Sequence, residues 1–314
     1  MNRTRPLAAL AALALALTAC GSESSSDAGS EPPRESSSAS ADFPVTVDTP
    51  GGEITIDEQP QKIVSLSPSA TETLFAIGAG DQVVAADEFS TYPKEAPTTK
   101  LSGFEPNVEA IAEYSPDLVV AANDANGMVA GLKKLGVPVL INAAPATIEQ
   151  GYDSMAALGQ ATGHVDETAD LVKQLRSDID AALAQAPDRP IRIYHELDDS
   201  YYSASSYGFI GSVYEQMGAK NIADAADKDK TGFPQLTEEA IIKADPQLIV
   251  ITDQVGYDAQ DVANRPGWQA VSAVREDNIV TVNADIASRW GPRLPQLIEQ
   301  VADAMSSVKV PAAG

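Results

Sequence analysis

Two twelve-residue stretches set 130 residues apart follow one pattern, and this repetition constrains the fold more than any other feature of the chain. Glu109 to Val120 and Glu239 to Val250 each start with a carboxylate and run through a short helical pattern. Each then meets a proline, Pro116 or Pro246, and ends in a run of β-branched and aliphatic residues. Proline stops a helix because it lacks an N–H and clashes with the preceding turn, so each stretch reads as helix, stop and buried strand. Two units are too few for a solenoid, which leaves a pair of equivalent lobes.

Around each copy, short apolar runs alternate with helical patterns. The first block has strands at Ile63 to Leu66, Val83 to Ala85, Leu118 to Ala121 and Val139 to Ile141, with helices at Ala70 to Ile77, Val108 to Glu113 and Met128 to Leu135. The second has strands at Ile191 to Tyr194, Leu248 to Thr252 and Ile279 to Val282, with helices at Phe209 to Met217, Glu238 to Ala244 and Pro292 to Met305. Such alternation predicts an α/β fold with mostly parallel strands. Ser69 with Glu72 three residues on fits a capping box at the first helix. Between Val165 and Ala186, apolar residues at Ala169, Val172, Leu175, Ile179 and Leu183 predict one long amphipathic helix joining the lobes.

The N-terminus has Arg3 and Arg5 followed by an apolar run from Leu7 to Leu17, a hydrophobic stretch of secretory-leader length that is too short for an ordinary membrane span. It ends in Leu17, Thr18, Ala19 and Cys20, which resembles the lipobox of bacterial lipoproteins, and Cys20 is the only cysteine in the chain. The resemblance implies cleavage after residue 19 and lipidation of Cys20, anchoring the protein on the extracytoplasmic face of the membrane. Residues 20–42 are Gly, Ser, Pro, Asp and Glu with almost nothing apolar, the composition of a flexible tether. The expected organisation is leader 1–19, tether 20–42, first lobe 43–163, connecting helix 164–189 and second lobe 190–314. With 45 acidic and 21 basic residues the formal net charge is −24, which makes nucleic acid an improbable partner.

From Gln61 to Met305 the chain resembles the metal-chelate binding proteins of ABC importers. The residues that carry the likeness are Ile63 to Glu72, Tyr92 with Pro93, Asn107 to Glu109 with Ser115 to Val119, Phe233 to Leu236 through Glu239, and Trp290 to Arg293. The likeness is greatest to the vitamin B12-binding branch. It implies two Rossmann-like α/β lobes joined by one long helix, the class III periplasmic-binding-protein architecture. The implied function is capture of cobalamin, a related corrinoid or a ferric siderophore in the cleft between the lobes, and delivery to a membrane permease. It further implies that Glu109 and Glu239, one per lobe, dock on permease arginines, and that Phe89, Phe104, Phe233, Trp290, Tyr202 and Arg289 meet the ligand. Gly103 and Phe104 stand where the B12 branch has a cleft tryptophan, a departure from its pattern.

Only His164 and His195 are available as histidine ligands, too far apart in sequence for a recognisable metal site, so no cofactor or resident metal is expected. His195 reads as an ordinary strand-end residue and Arg289, if not at the ligand, as an exposed one. An exported hydrolase would need a nucleophile and base that these residues do not supply. A surface adhesin, the remaining alternative, predicts no ligand-enclosing cleft.

Overall fold

The computed structural model describes residues 42–309. The leader, Cys20 and all but the last residue of the tether lie outside the described residues. The chain opens with a small antiparallel pair, β1 (Val45–Val47) and β2 (Ile54–Ile56). A five-stranded parallel sheet follows, in the order β5-β4-β3-β6-β7, built from β3 (Ile63–Leu66), β4 (Val83–Asp87), β5 (Thr98–Leu101), β6 (Leu118–Ala121) and β7 (Val139–Ile141). All four residues of β3 and all four of β6 are buried. Parallel strands covered on both faces read as continuous apolar runs for this reason.

Helices α1 (Pro68–Ala76), α2 (Val108–Ala112) and α3 (Met128–Lys134) complete the first lobe. On one face of its sheet, Ile63, Val120 and Leu140 pack with Leu74 of α1 and with the β1–β2 pair; on the other, Val64 and Val119 pack with Ile111 and Leu132. The start of α1 differs from the expected capping box. Ser67 is the N-cap, its Oγ accepting from the Ala70 amide at 3.4 Å, and Glu72 is buried in an ionic cluster described below.

Between the two sheets in sequence come α4 (Ile148–Thr162) and, within the span expected for the connecting helix, α5 (Val165–Leu183), with a turn at Gly163 (φ +80°). Ile148, Tyr152 and Met155 at the start of α4 are buried in the core of the second lobe, whereas Leu158 and Ala161 at its end are buried in that of the first. Helix α5 ends at Leu183, before Pro187, and packs along α4.

The second lobe holds a four-stranded parallel sheet in the order β11-β10-β8-β9, from β8 (Arg192–His195), β9 (Lys220–Asn221), β10 (Leu248–Thr252) and β11 (Ile279–Val282). Around it lie α6 (Phe209–Gln216), α7 (Glu238–Ala244), the short α8 (Ala259–Ala263), α9 (Ser272–Arg275) and α10 (Ala284–Ala287), and the terminal α11 (Leu294–Ser307). Ile193, Val250, Tyr214 and the apolar face of α11 form one core; Ile249, Ile251, Ile241 and Trp268 form the other. Among the described residues no helix is long and apolar enough to cross a membrane.

Candidate functional site

In each sheet the first strand has a later strand on either side, so strand order reverses beside β3 and again beside β8. Parallel α/β sheets form crevices at such reversals, beyond the C-terminal ends of the strands, because successive connections leave in opposite directions. Here the two crevices contribute to one cavity of about 450 Å³. Ser67 after β3, Ala122 after β6 and Asn142 to Pro145 after β7 line it from the first lobe. His195 at the end of β8, Thr252, Gln254 and Val255 around the end of β10, and Ser288 with Trp290 beyond β11 line it from the second. Gly151, Ser154, Met155 and Leu158 of α4 contribute a further wall, and the volume is that of a small-molecule site.

Trp290 is 6% exposed, stacks on Phe209 with ring centroids 6.1 Å apart and meets Tyr152 edge-on at 5.4 Å. Its indole lies against Gly151, where a Cβ would fall on the ring itself. Trp290 Nε1 and His195 Nε2 are both buried without a partner among the described residues, although the two residues line the cavity. His195 Nδ1 pairs with the Tyr214 hydroxyl at 2.7 Å. Burial pushes its pKa down to about 4, so the imidazole is neutral at physiological pH.

None of the residues lining the cavity is Asp, Glu, Lys or Arg. Beside it, two arginines and two carboxylates are paired with one another. Arg293 Nε donates to Glu72 Oε2 at 2.8 Å and its Nη2 to Glu72 Oε1. Arg289 donates to Glu72 Oε1 at 3.3 Å, to Asp285 Oδ1 at 2.8 Å and to the Phe89 carbonyl at 3.0 Å. The Arg293 guanidinium also stacks 4.2 Å from the centre of the Tyr92 ring. Behind His195, the buried carboxylate of Glu196 accepts two bonds of 2.7 Å from Arg265 and one from the Tyr257 hydroxyl.

Of the aromatic residues expected at the ligand, Phe233 and Trp290 line the cavity. Phe89 and Phe104 do not: they pack edge-to-face, 5.6 Å apart, and stay 46% and 73% exposed. Tyr202 is also outside it, its backbone bridged to Gln235. Arg289 is neither exposed nor free, since its side chain is 10% exposed and fully engaged. Glu109 and Glu239 are exposed in the first turns of α2 and α7, and neither carboxylate has a hydrogen-bond or ion-pair partner among the described residues. His195, read from the sequence as an ordinary strand-end residue, and Gly151 are among the site residues that sequence reasoning missed. An isolated histidine after a strand carries no distinguishing pattern, and the need for Gly151 arises from a ring 139 positions away.

A family model described as periplasmic binding protein matches residues 63–286. The ABC transporter substrate-binding lipoprotein YvrC of Bacillus subtilis, itself uncharacterised, is 34% identical over 275 residues, covering 84% of this chain and 86% of that protein. A cobalamin-binding protein of Halobacterium salinarum is 33% identical over 297 residues, covering 89% of this chain and 79% of the relative. Among solved structures, the periplasmic vitamin B12 binding protein BtuF of Vibrio cholerae superposes with a TM-score of 0.67 at 26% identity, over 79% of this chain and 97% of that one. Facing sheets with a shared cavity at their strand ends and a match over most of the chain lead to one conclusion: the chain belongs to the periplasmic binding protein family.

Proposed function

We propose that this protein captures a metal chelate, cobalamin or a related corrinoid first and a ferric siderophore second, in the cavity between its lobes and delivers it to an ABC importer. The observation that carries this reading is the uncharged wall of the cavity. Serine, threonine and asparagine side chains, a neutral imidazole and the three large rings of Phe209, Phe233 and Trp290 suit a bulky ligand with amide or hydroxamate groups, because they bury its area without leaving a charge unpaired. The curated relatives named for cobalamin and vitamin B12 support the corrinoid. In the same reading, lipidated Cys20 holds the protein at the extracytoplasmic membrane surface, and Glu109 and Glu239 orient it on the permease.

Incubation with cyanocobalamin, ferrioxamine B or hemin, followed by gel filtration read at the absorption maximum of each, tests the ligand. Cyanocobalamin is expected to co-elute with the protein at about one equivalent. Retention of hemin alone would contradict the uncharged-ligand argument, because its carboxylates would then lack cations in the wall. Retention of none of the three would overturn the chelate reading.

A further inference from the structure

Glu72 is placed where an ordinary helical carboxylate would not be. It sits within α1 with its side chain 2% exposed, and the two arginines that reach it come from residues more than 200 positions later, on the second lobe. It does not line the cavity. Its neighbours Ser69 and Thr73 do, and so do Ser288 and Trp290, which flank Arg289 on the other side. The ionic cluster thus lies directly behind two facing walls of the site. Asp285, the second carboxylate of the cluster, is 28% exposed and bonds Arg289 but not Arg293.

We infer that Glu72 is a positioning residue for the ligand: by drawing Arg289 and Arg293 across from the second lobe, it fixes the spacing of the α1 wall against the Ser288–Trp290 wall. It also keeps two guanidinium charges turned away from a cavity that has none. The inference rests on the reading of that cavity as the ligand site. Without the Glu72 carboxylate, the two buried guanidiniums would keep no carboxylate bonded to both; Asp285 bonds Arg289 alone, and Asp87 acts on Arg289 only through space. An uncompensated buried charge is far costlier than a paired one, so the 284–293 segment would move to rehydrate it. A purely local helix contact would have no such effect on the opposite wall.

The full chain carrying Glu72→Gln, compared with wild type and with Glu72→Gln/Arg293→Gln, tests this. Hydrogen exchange without ligand should rise about tenfold or more in residues 68–76 and 284–293 of the single variant, with β3, β6 and β10 unchanged. The dissociation constant for cyanocobalamin should rise by at least about tenfold and recover in part in the double variant, where the charge balance returns. If Glu72→Gln does not fold, Arg293→Gln, which leaves Glu72 bonded to Arg289, should show the same two effects in smaller degree. Unchanged exchange and affinity, or exchange raised evenly through all strands, would overturn the positioning role. Failure of wild type to bind cyanocobalamin would instead count against the chelate reading, and the exchange comparison would still decide whether Glu72 sets the wall spacing.

Discussion

At Gly151 the fourth helix gives up a side chain so that an indole can lie in its place. Alanine for glycine inside a helix ordinarily gains about 0.5–1 kcal/mol. Here the new methyl would fall on the Trp290 ring, so Gly151→Ala is expected to destabilise by about 1–3 kcal/mol through overpacking. Urea unfolding followed by tryptophan emission measures both the loss and the displacement of the ring; a stabilised variant would show that the contact is dispensable. His195 gives a pH dependence whose sign is fixed by its burial. Its folded pKa is about 4 against 6.5 for the free side chain, so the unfolded chain takes up a proton first as pH falls. The stability it contributes is complete above pH 6.5 and is lost as pH drops toward 4, by up to about 3 kcal/mol. In urea midpoints at pH 7.5, 5.5 and 4.5, His195→Gln should flatten that part of the decline; an unchanged slope would assign the acid sensitivity to other groups. Neither residue is legible in the sequence, because the partners that define them are distant along the chain.

Among elements, the internal repeat extends further in the structure than in the residue pattern. Ser115 and Asp245 occupy matching positions, each before the proline that stops its helix, and both adopt left-handed backbone, with φ of +51° and +49°. Asp245 is compensated, since its carboxylate accepts from the Ser272 amide at 2.7 Å, the Ser272 hydroxyl and Arg192. Among the described residues the Ser115 side chain has no hydrogen-bond partner of this kind. Left-handed backbone costs a non-glycine residue roughly 1–2 kcal/mol, and glycine loses part of that gain to chain entropy. Ser115→Gly is therefore expected to stabilise by about 0.5–1 kcal/mol, read as a shift in Tm; a lower Tm would mean that the turn is unstrained. Strands β6 and β10 were legible because central parallel strands leave long apolar runs, and β3 and β8 because buried aliphatic or aromatic residues dominate theirs. The edge strand β5, with exposed Thr98 and Lys100, and the two-residue β9 leave no such trace. Helix α4 escapes for a different reason: Gly151, Gly159 and Thr162 lower its helix propensity, and its apolar residues serve two separate cores.

For the whole molecule, the equivalent placement of Glu109 and Glu239 gives the repeat a functional test. Each is exposed beside the N-cap of a helix, Asn107 for α2 and Thr237 for α7, that leads into the strand next to the first strand of its own sheet. The double variant Glu109→Ala/Glu239→Ala is expected to bind ligand as wild type does, because neither residue lines the cavity, yet to lose uptake through the reconstituted importer. Uptake at the wild-type rate would reduce both to helix-start charges, worth about 0.3–1 kcal/mol to folding. The cleft aromatics were legible only in part: of the five expected at the ligand Phe233 and Trp290 line the cavity, and a family pattern does not distinguish its wall from Tyr202 or the exposed Phe89–Phe104 pair. The dual burial of α4 governs how the chain comes apart. Ile148, Tyr152 and Met155 leave one core, and Leu158 and Ala161 the other, whenever this helix melts, so neither sheet can lose its order while the other keeps its full complement of side chains. Heat or denaturant should accordingly meet the two sheets of the described residues as a single cooperative unit, with calorimetric and van't Hoff enthalpies in agreement.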